Sequence, residues 1–314
     1  MRLLTNARAP GDRIVALGTF DGVHAGHRTL LENGAAYARE HGLLLQAVTF
    51  DRHPLEVVFP DHCPKLLTTL PEKIGILNRL GIPEVRMIPF SRAMADMEPE
   101  AFLEWLRERI GIRAVIAGWN YSFGKGGRGS ADWLREDGKK HGYDVLIEPP
   151  VKSEDGEVIS SSRIRDLVRA GKVDCAAELM NRPYLISGTV GKGKEIGHRI
   201  GFPTANLESD SRKLLPAFGV YVCTAEYRKR KHPAVVNIGR QPTFPSGQVT
   251  TEVHCLDGSA DLYGERLRIR LHRRLRDEIR FDGADRLIAQ IEADTREAAA
   301  FFEGRPDLLK EKSN

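Results

Sequence analysis

The chain has 314 residues, 41% of them hydrophobic and 29% charged, with a formal net charge of +4. That length exceeds what one hydrophobic core usually serves and predicts two domains, while the balanced composition excludes a disordered chain. No apolar run approaches the ~20 residues of a membrane-spanning helix, and residues 1–13 lack the apolar core and cleavage site of a secretory signal, so a cytoplasmic location is expected.

The first clear element is a buried strand over residues 14–17, which breaks at Gly18, turns through Gly22 and opens a helix whose apolar face begins at Leu30 and Leu31. A strand feeding a helix in this way leaves backbone N–H groups at the positive end of a helix dipole, where anions bind. His24 and His27, three residues apart at the helix start, project from one face beside those amides and form a candidate phosphate clamp. Gly18, Gly22 and Gly26 fall four apart, which is neither the dinucleotide fingerprint nor a Walker A loop. Two other readings stand beside the clamp: a helix start with solvent-facing histidines, and a zinc site, for which HxxH lacks a nearby Cys or carboxylate pair.

The helix closes at Gly42, and the pattern then alternates: strand 43–50, helix 71–80, strand 85–90, helix 98–110, strand 114–118, helix 132–141, strand 145–147. Strands separated by helices imply a parallel α/β sheet with right-handed crossovers, whose ligands bind beyond the carboxyl ends of the strands. The stretches leaving those ends are FDRHP at 50–54 and GWNYSFG at 118–124. The glycine-rich continuation either brings Lys125 and Arg128 to phosphates or forms a surface loop. Further on, Ser160, Ser161 and Ser162 cap a helix continued by Ile164, Leu167 and Val168. Capping does not explain Arg163 and Arg165 beside them, because cations are disfavoured at a helix N-terminus unless an anion is present.

After a short helix over 173–180, residues 181–183 mark a join, and short strands follow at 184–190, 219–227, 233–238, 249–256 and 267–275. Their spacing suggests a small antiparallel barrel, covered by an amphipathic helix over 285–302 through Leu287, Ile288, Ile291 and Ala298. GTVGKGK at 188–194 has Walker A spacing, but Glu195 follows in a strand-rich context, so the P-loop reading is rejected; Gly191 and Lys194 still offer an amide and an ammonium to phosphates. Thr204 and Asn206, two apart on an extended segment, point the same way and offer a hydroxyl and an amide oxygen on one face. Cys63, Cys175, Cys223 and Cys255 form no CxxC pair and are expected to be reduced structural thiols. The basic run at 228–232 lacks interleaved aromatics and reads as a solvated hairpin tip, so no nucleic-acid partner is expected.

Several of these stretches resemble family motifs. GTFDGVHAGH at 18–27 resembles the HxGH signature of the nucleotidyltransferase superfamily, in its flavin-adenylylating branch. FDRHP resembles that branch's F-x-P-H-P element with Arg52 in place of proline, GWNYSFG resembles G-x-[DN]-F-x-F-G with Trp119 as a departure, and ISSSRIR at 159–165 resembles I-S-S-T-R-I-R with Ser162 for threonine. GFPTAN at 201–206 is nearly identical to the riboflavin kinase motif, and similar matches follow through residue 281, although Ile196 and His198 stand where relatives often carry arginine. Together the matches resemble the bacterial bifunctional riboflavin kinase/FMN adenylyltransferase family over nearly the whole chain.

The resemblance implies a Rossmann-like nucleotidyltransferase domain over 1–180 and a kinase barrel with a C-terminal helix over 181–314. The implied chemistry is phosphorylation of riboflavin to FMN, then adenylyl transfer giving FAD and pyrophosphate, with ATP as co-substrate and Mg²⁺ as cofactor. In the first half it implies Gly18, Phe20, Asp21, His24, His27, Ser160, Ser162 and Arg165 at ATP, with His53 and Asn120 at flavin. In the second it implies Gly191, Lys194, Gly201, Thr204 and Asn206 at ATP, Thr204 and Asn206 also at the metal, Arg276 at flavin, and Glu252 as the base. Riboflavin, FMN, FAD and ATP are then its partners, with neither nucleic acid nor membrane; oligomeric state is left open. Rival readings are an enzyme keeping one activity and a non-catalytic flavin- or nucleic-acid-binding regulator.

Overall fold

Alternate residues of one strand bury themselves on opposite faces of a sheet, and this sets the architecture of the N-terminal half. Ile14 and Ala16 join one apolar cluster with Leu30, Leu31, Ile76 and Leu77, whereas Val15 and Leu17 join another with Phe102, Leu103, Leu106 and Leu134. The computed structural model describes residues 1–5, 9–191, 201–240, 249–258 and 262–310. The chain divides into two compact units, Met1–Ser161 and Ser162–Asn314.

The first unit is a six-stranded, fully parallel sheet in the order β1-β4-β3-β2-β5-β6. Its strands are β1 (Arg2–Leu4), β2 (Ala9–Leu17), β3 (Leu44–Phe50), β4 (Glu84–Ile88), β5 (Ile110–Gly118) and β6 (Asp144–Glu148). The helices are α1 (Ala25–Glu40), α2 (Pro54–Val58), α3 (Leu70–Arg79), α4 (Arg92–Ala95), α5 (Pro99–Arg109) and α6 (Ala131–His141). The expected α/β sheet is therefore present. Beyond it, the structure adds β1, α2 and α4, whose three to five residues are too short to carry a periodic pattern.

A polar network crosses this sheet near its amino ends. Glu84, 1% exposed, accepts hydrogen bonds from Arg13 Nε at 2.8 Å and Gln46 Nε2 at 2.9 Å, and Gln46 Oε1 accepts from Arg86 Nε at 3.1 Å. Burial pushes the Glu84 carboxyl up, but hydrogen bonds from Arg13 and Gln46 outweigh it and leave the group below its ordinary value. A one-residue slip of β4 would carry this charge to the opposite apolar face, so the network specifies register. Glu84→Ala leaves Arg13 without its buried carboxylate and is expected to cost about 3–5 kcal/mol. Chemical denaturation of the variant checks this; a loss under ~1 kcal/mol would make the network neutral to stability.

In the second unit, α7 (Ser161–Arg169) continues from its single residue in the first, and α8 (Val173–Met180) packs on β7 and β12 of a closed antiparallel barrel, order β10-β11-β8-β7-β12-β9. The strands are β7 (Tyr184–Gly191), β8 (Ala205–Ser209), β9 (Gly219–Tyr227), β10 (Arg230–Arg240), β11 (Val249–Cys255) and β12 (Arg266–Arg276). Of the basic run expected at a solvated hairpin tip, Arg228 and Lys229 make the turn with positive φ, 48° and 66°, whereas Arg230, Lys231 and His232 pair within β10 and the last two are half-buried. The last helix, α9 (Ala284–Glu303), packs through Ala298 and Phe302 against Val220, Val222 and Val235. Leu287, Ile288 and Ile291, expected to share that role, are only half-buried. The four cysteines are free, as expected for reduced thiols.

At the helix–barrel contact, His272 lies at an irregularity of β12, its Nε2 2.6 Å from Thr224 Oγ1 and its ring beside Phe301 and Phe302. Burial, helped by the charges of Arg270, Lys231 and Arg305, lowers its pKa to about 4. An unfolded histidine takes a proton near pH ~6.5, which this folded one refuses until much lower pH. Stability is therefore fully present above the unfolded value of ~6.5 and is lost as pH falls towards the folded one, by about 2 kcal/mol at pH 5 relative to pH 7. Denaturation midpoints at the two pH values should converge in His272→Gln; an unchanged difference would assign the effect elsewhere.

Candidate active sites

Strand β2 occupies the place where the chain's winding reverses, with β3 on one side and β5 on the other, so its carboxyl end opens at the topological switch point. The chain leaves it in a constrained turn: Phe20, Gly22 and Val23 have φ of 49°, 80° and 40°. Positive φ at a buried aromatic and a buried β-branched residue costs on the order of 1–3 kcal/mol each and persists only where the surroundings over-determine it. The Phe20 ring folds over Gly18, where an added Cβ would stand 3.0 Å from it. His24 then caps α1, its Nδ1 accepting from the His27 backbone N–H at 3.4 Å. With Nδ1 accepting, the neutral ring carries its proton on Nε2, a donor for an anion. The two imidazoles stack with centroids 3.8 Å apart, and Phe20 meets His27 edge-on at 5.3 Å.

Neighbouring segments grip this turn. The Asp21 carboxylate accepts from the backbone N–H groups of Leu67 and Thr68 at 3.1 and 2.9 Å and from the Thr68 hydroxyl, whose oxygen in turn accepts from Gly22 N–H at 3.0 Å. The Asp21 carbonyl accepts from the Ser161 hydroxyl at 2.9 Å, which holds the last residue of this unit against the turn. Lys73, 8% exposed, donates to the Thr19 carbonyl at 2.8 Å and the Thr49 hydroxyl at 3.3 Å. Thr68 and Lys73 were not singled out by the sequence. A signal was there for Lys73, since it stands in the first turn of a helix announced by the Thr69–Glu72 capping box, an unfavourable place for a cation.

Other strand ends face the same edge of the sheet. After β3, His53 caps α2, its Nδ1 accepting from Leu55 N–H at 3.2 Å, and the Asp51 carboxylate accepts from Phe90 N–H. After β5, Tyr121 N–H closes a turn onto the Gly118 carbonyl at 2.9 Å, leaving Asn120 exposed and Trp119 51% exposed. Arg128 pairs with Glu98, and Lys125 is exposed. Ser160 is half-buried; in the second unit Ser162 is exposed and Arg165 is 6% exposed.

In the barrel, β8 and β11 run antiparallel with Asn206 directly opposite Glu252 and Ala205 opposite Val253. Thr251, Val253 and Cys255 are buried in the barrel, so by strand alternation Glu252 and His254 share the other face with Asn206, and Thr204 stands just before β8. His254 Nδ1 lies 2.9 Å from the Pro203 carbonyl, and its ring meets Phe202 edge-on at 5.6 Å, fixing the segment that carries Thr204. Gly201 has φ 85°, and a side chain at Gly191 would run into the Glu208 carboxylate. Lys194, Ile196 and His198 lie outside the described residues. Arg276 forks onto Asp294 of α9, with contacts of 2.7–3.1 Å, and Gln290 also donates to that carboxylate.

Among the described residues no helix is long and apolar enough to cross a membrane. Residues 6–163 match the family model for FAD synthetase, and residues 180–302 match that for riboflavin kinase. The bifunctional riboflavin kinase/FMN adenylyltransferase of Bacillus subtilis is 34% identical over 92% of this chain and 92% of its own. That of Escherichia coli K12 is also 34% identical, with the same coverage of each chain. A crystal structure described as a macrolide-efflux protein from Streptococcus pneumoniae superposes with a TM-score of 0.86 at 31% identity, covering 95% of this chain and 99% of that one. With a parallel sheet and an antiparallel barrel each matched by its own family model, the chain belongs to the bifunctional riboflavin kinase/FMN adenylyltransferase family and makes both FMN and FAD.

Proposed function

We propose that residues 1–180 carry out adenylyl transfer and residues 181–314 the phosphorylation of riboflavin, each with its own ATP site. The observation that carries this division is that each unit holds a separate constellation: the stacked His24–His27 pair at the switch point of the sheet, and the Asn206–Glu252 pair across β8 and β11.

In adenylyl transfer an FMN phosphate oxygen attacks the α-phosphorus of ATP, and the bond to pyrophosphate breaks. No covalent enzyme intermediate is needed, so the residues act by positioning and charge stabilisation. His24 and His27 hold the phosphates at the start of α1, Gly18, Phe20 and Asp21 shape the turn that receives ATP, and Ser160, Ser162 and Arg165 serve its triphosphate. His53 and Asn120 meet the flavin.

In the kinase step Glu252 takes the proton from the primary alcohol of riboflavin as its oxygen attacks the γ-phosphorus and ADP departs. Gly191, Lys194 and Gly201 serve ATP, and Arg276, oriented by Asp294, contacts the flavin. Thr204 and Asn206 suit Mg²⁺, which keeps water and phosphate ligands and needs only one or two oxygens from the protein. Asn206 stands opposite Glu252, and the described residues hold no cluster of three carboxylate, His or Cys ligands that would suit a metal caged by protein alone. Bound there, Mg²⁺ would neutralise phosphate charge. We further place the enzyme in the cytoplasm, with riboflavin, FMN, FAD and ATP as its partners and no nucleic-acid or membrane surface.

The test is chromatography of riboflavin incubated with the chain, ATP and Mg²⁺. FMN should appear before FAD, and excess EDTA should stop both. Undiminished turnover in EDTA would remove the metal from this account.

A further inference from the structure

A lysine buried in the first turn of a helix is unfavourable twice over, through desolvation of its charge and through the helix dipole. Lys73 is so placed, on α3, and its ammonium is spent on the turn that leaves β2. It donates to the Thr19 carbonyl at 2.8 Å and to Thr49 Oγ1 at 3.3 Å, while Thr49 Oγ1 itself donates to the Thr19 carbonyl at 3.0 Å. One carbonyl, between Gly18 and the left-handed Phe20, thus collects two donors from two other elements. Just upstream on the same segment, Leu67 and Thr68 hold Asp21 and Gly22. The carboxylates facing the ammonium are Asp21 on the turn and Asp51 beyond β3, and both favour its charge.

We propose that Lys73 is a positioning residue for adenylyl transfer, its ammonium holding the turn from Gly18 to Val23 in the conformation that presents His24 and His27 to the phosphates of ATP. This rests on the assignment of those histidines to the adenylyl-transfer site. The turn carries two strained non-glycine residues, so it relaxes when a restraint is lost, and misplacing donors that act in the transition state lowers kcat more than it raises KM. The charge is also removable. Burial, opposed by Asp21 and Asp51, lowers the Lys73 pKa to about 8, so its proton is present at neutral pH and lost as pH rises past that value.

The experiment measures FAD formation from supplied FMN and ATP between pH 7 and 9.5, and circular dichroism and thermal unfolding, for wild type, Lys73→Met, Lys73→Arg and His27→Ala. Lys73→Met should lose about tenfold or more in kcat at pH 7.5, with KM for ATP and FMN within about threefold of wild type. Wild-type kcat should fall above pH 8, and Lys73→Arg, which keeps its charge, should not show that fall. Riboflavin phosphorylation by the same preparations serves as the control for the assay's own pH dependence. Should Lys73→Met not fold, the wild-type and Lys73→Arg profiles decide. A folded Lys73→Met with kcat within threefold of wild type, or a wild-type profile flat to pH 9.5, overturns the proposal. Full FAD formation by His27→Ala would instead overturn the site assignment beneath it.

Discussion

Replacing His27 with alanine is expected to lower FAD formation from FMN by about 10²-fold or more while leaving riboflavin phosphorylation near wild type. The imidazole stands at the amino end of α1, stacked on His24 and buttressed by the edge of Phe20, so its orientation is fixed before substrate arrives. A donor fixed in advance costs no reorganisation when charge shifts on the α-phosphate, and for this reason losing one is expensive. The ring is also peripheral to the core, because Phe20, Val23, Leu30 and Leu31 bury the surrounding apolar surface without it. The variant should therefore fold, and thermal unfolding close to wild type is part of the expected result. Steady-state rates for both reactions on one preparation check it; equal loss of both in a folded protein would mean a single shared site.

Glu252→Gln should do the reverse, lowering riboflavin phosphorylation by about 10²- to 10⁴-fold and sparing FAD formation from supplied FMN. A primary alcohol hardly ionises at neutral pH, so the step needs an acceptor for its proton, and Glu252 stands opposite Asn206 across β8 and β11. Glutamine keeps the size and hydrogen bonding of the side chain and removes only its basicity. β11 stays anchored through Thr251, Val253 and Cys255, which point into the barrel, so the fold should be unaffected. Phosphorylation within a few-fold of wild type would leave positioning alone to carry the step.

Much of the frame that carries these two sites is legible in the sequence. Buried apolar runs such as Ile14 to Leu17 and the helical stripe of Phe102, Leu103 and Leu106 announced both the parallel sheet and its packing, since each strand or helix face repeats its own period. The change to short strands near Pro183 announced the barrel. Three-residue β1 and the short helices α2 and α4 have no room for a period and leave no pattern to read. Motifs marked Asn206 and Glu252 separately, but their pairing depends on β8 lying between β7 and β11, which no local pattern states. The Arg276–Asp294 fork was hidden for the same reason: Asp294 looks like a polar break in the apolar stripe of α9 until β12 is packed beside it. A lysine in a helix reads as solvated, and only the place of Lys73 in the first turn argues otherwise.

The two proposed catalytic sites work in sequence and independently, with His27 in one and Glu252 in the other. Mixing the His27→Ala and Glu252→Gln proteins with riboflavin, ATP and Mg²⁺ tests this in a single chromatogram. Each protein alone should give almost no FAD from riboflavin, the first stopping at FMN and the second barely passing riboflavin. The mixture should make FAD, because FMN released by one is adenylylated by the other. No FAD from the mixture, when the Glu252→Gln protein still converts supplied FMN, would contradict independent sites.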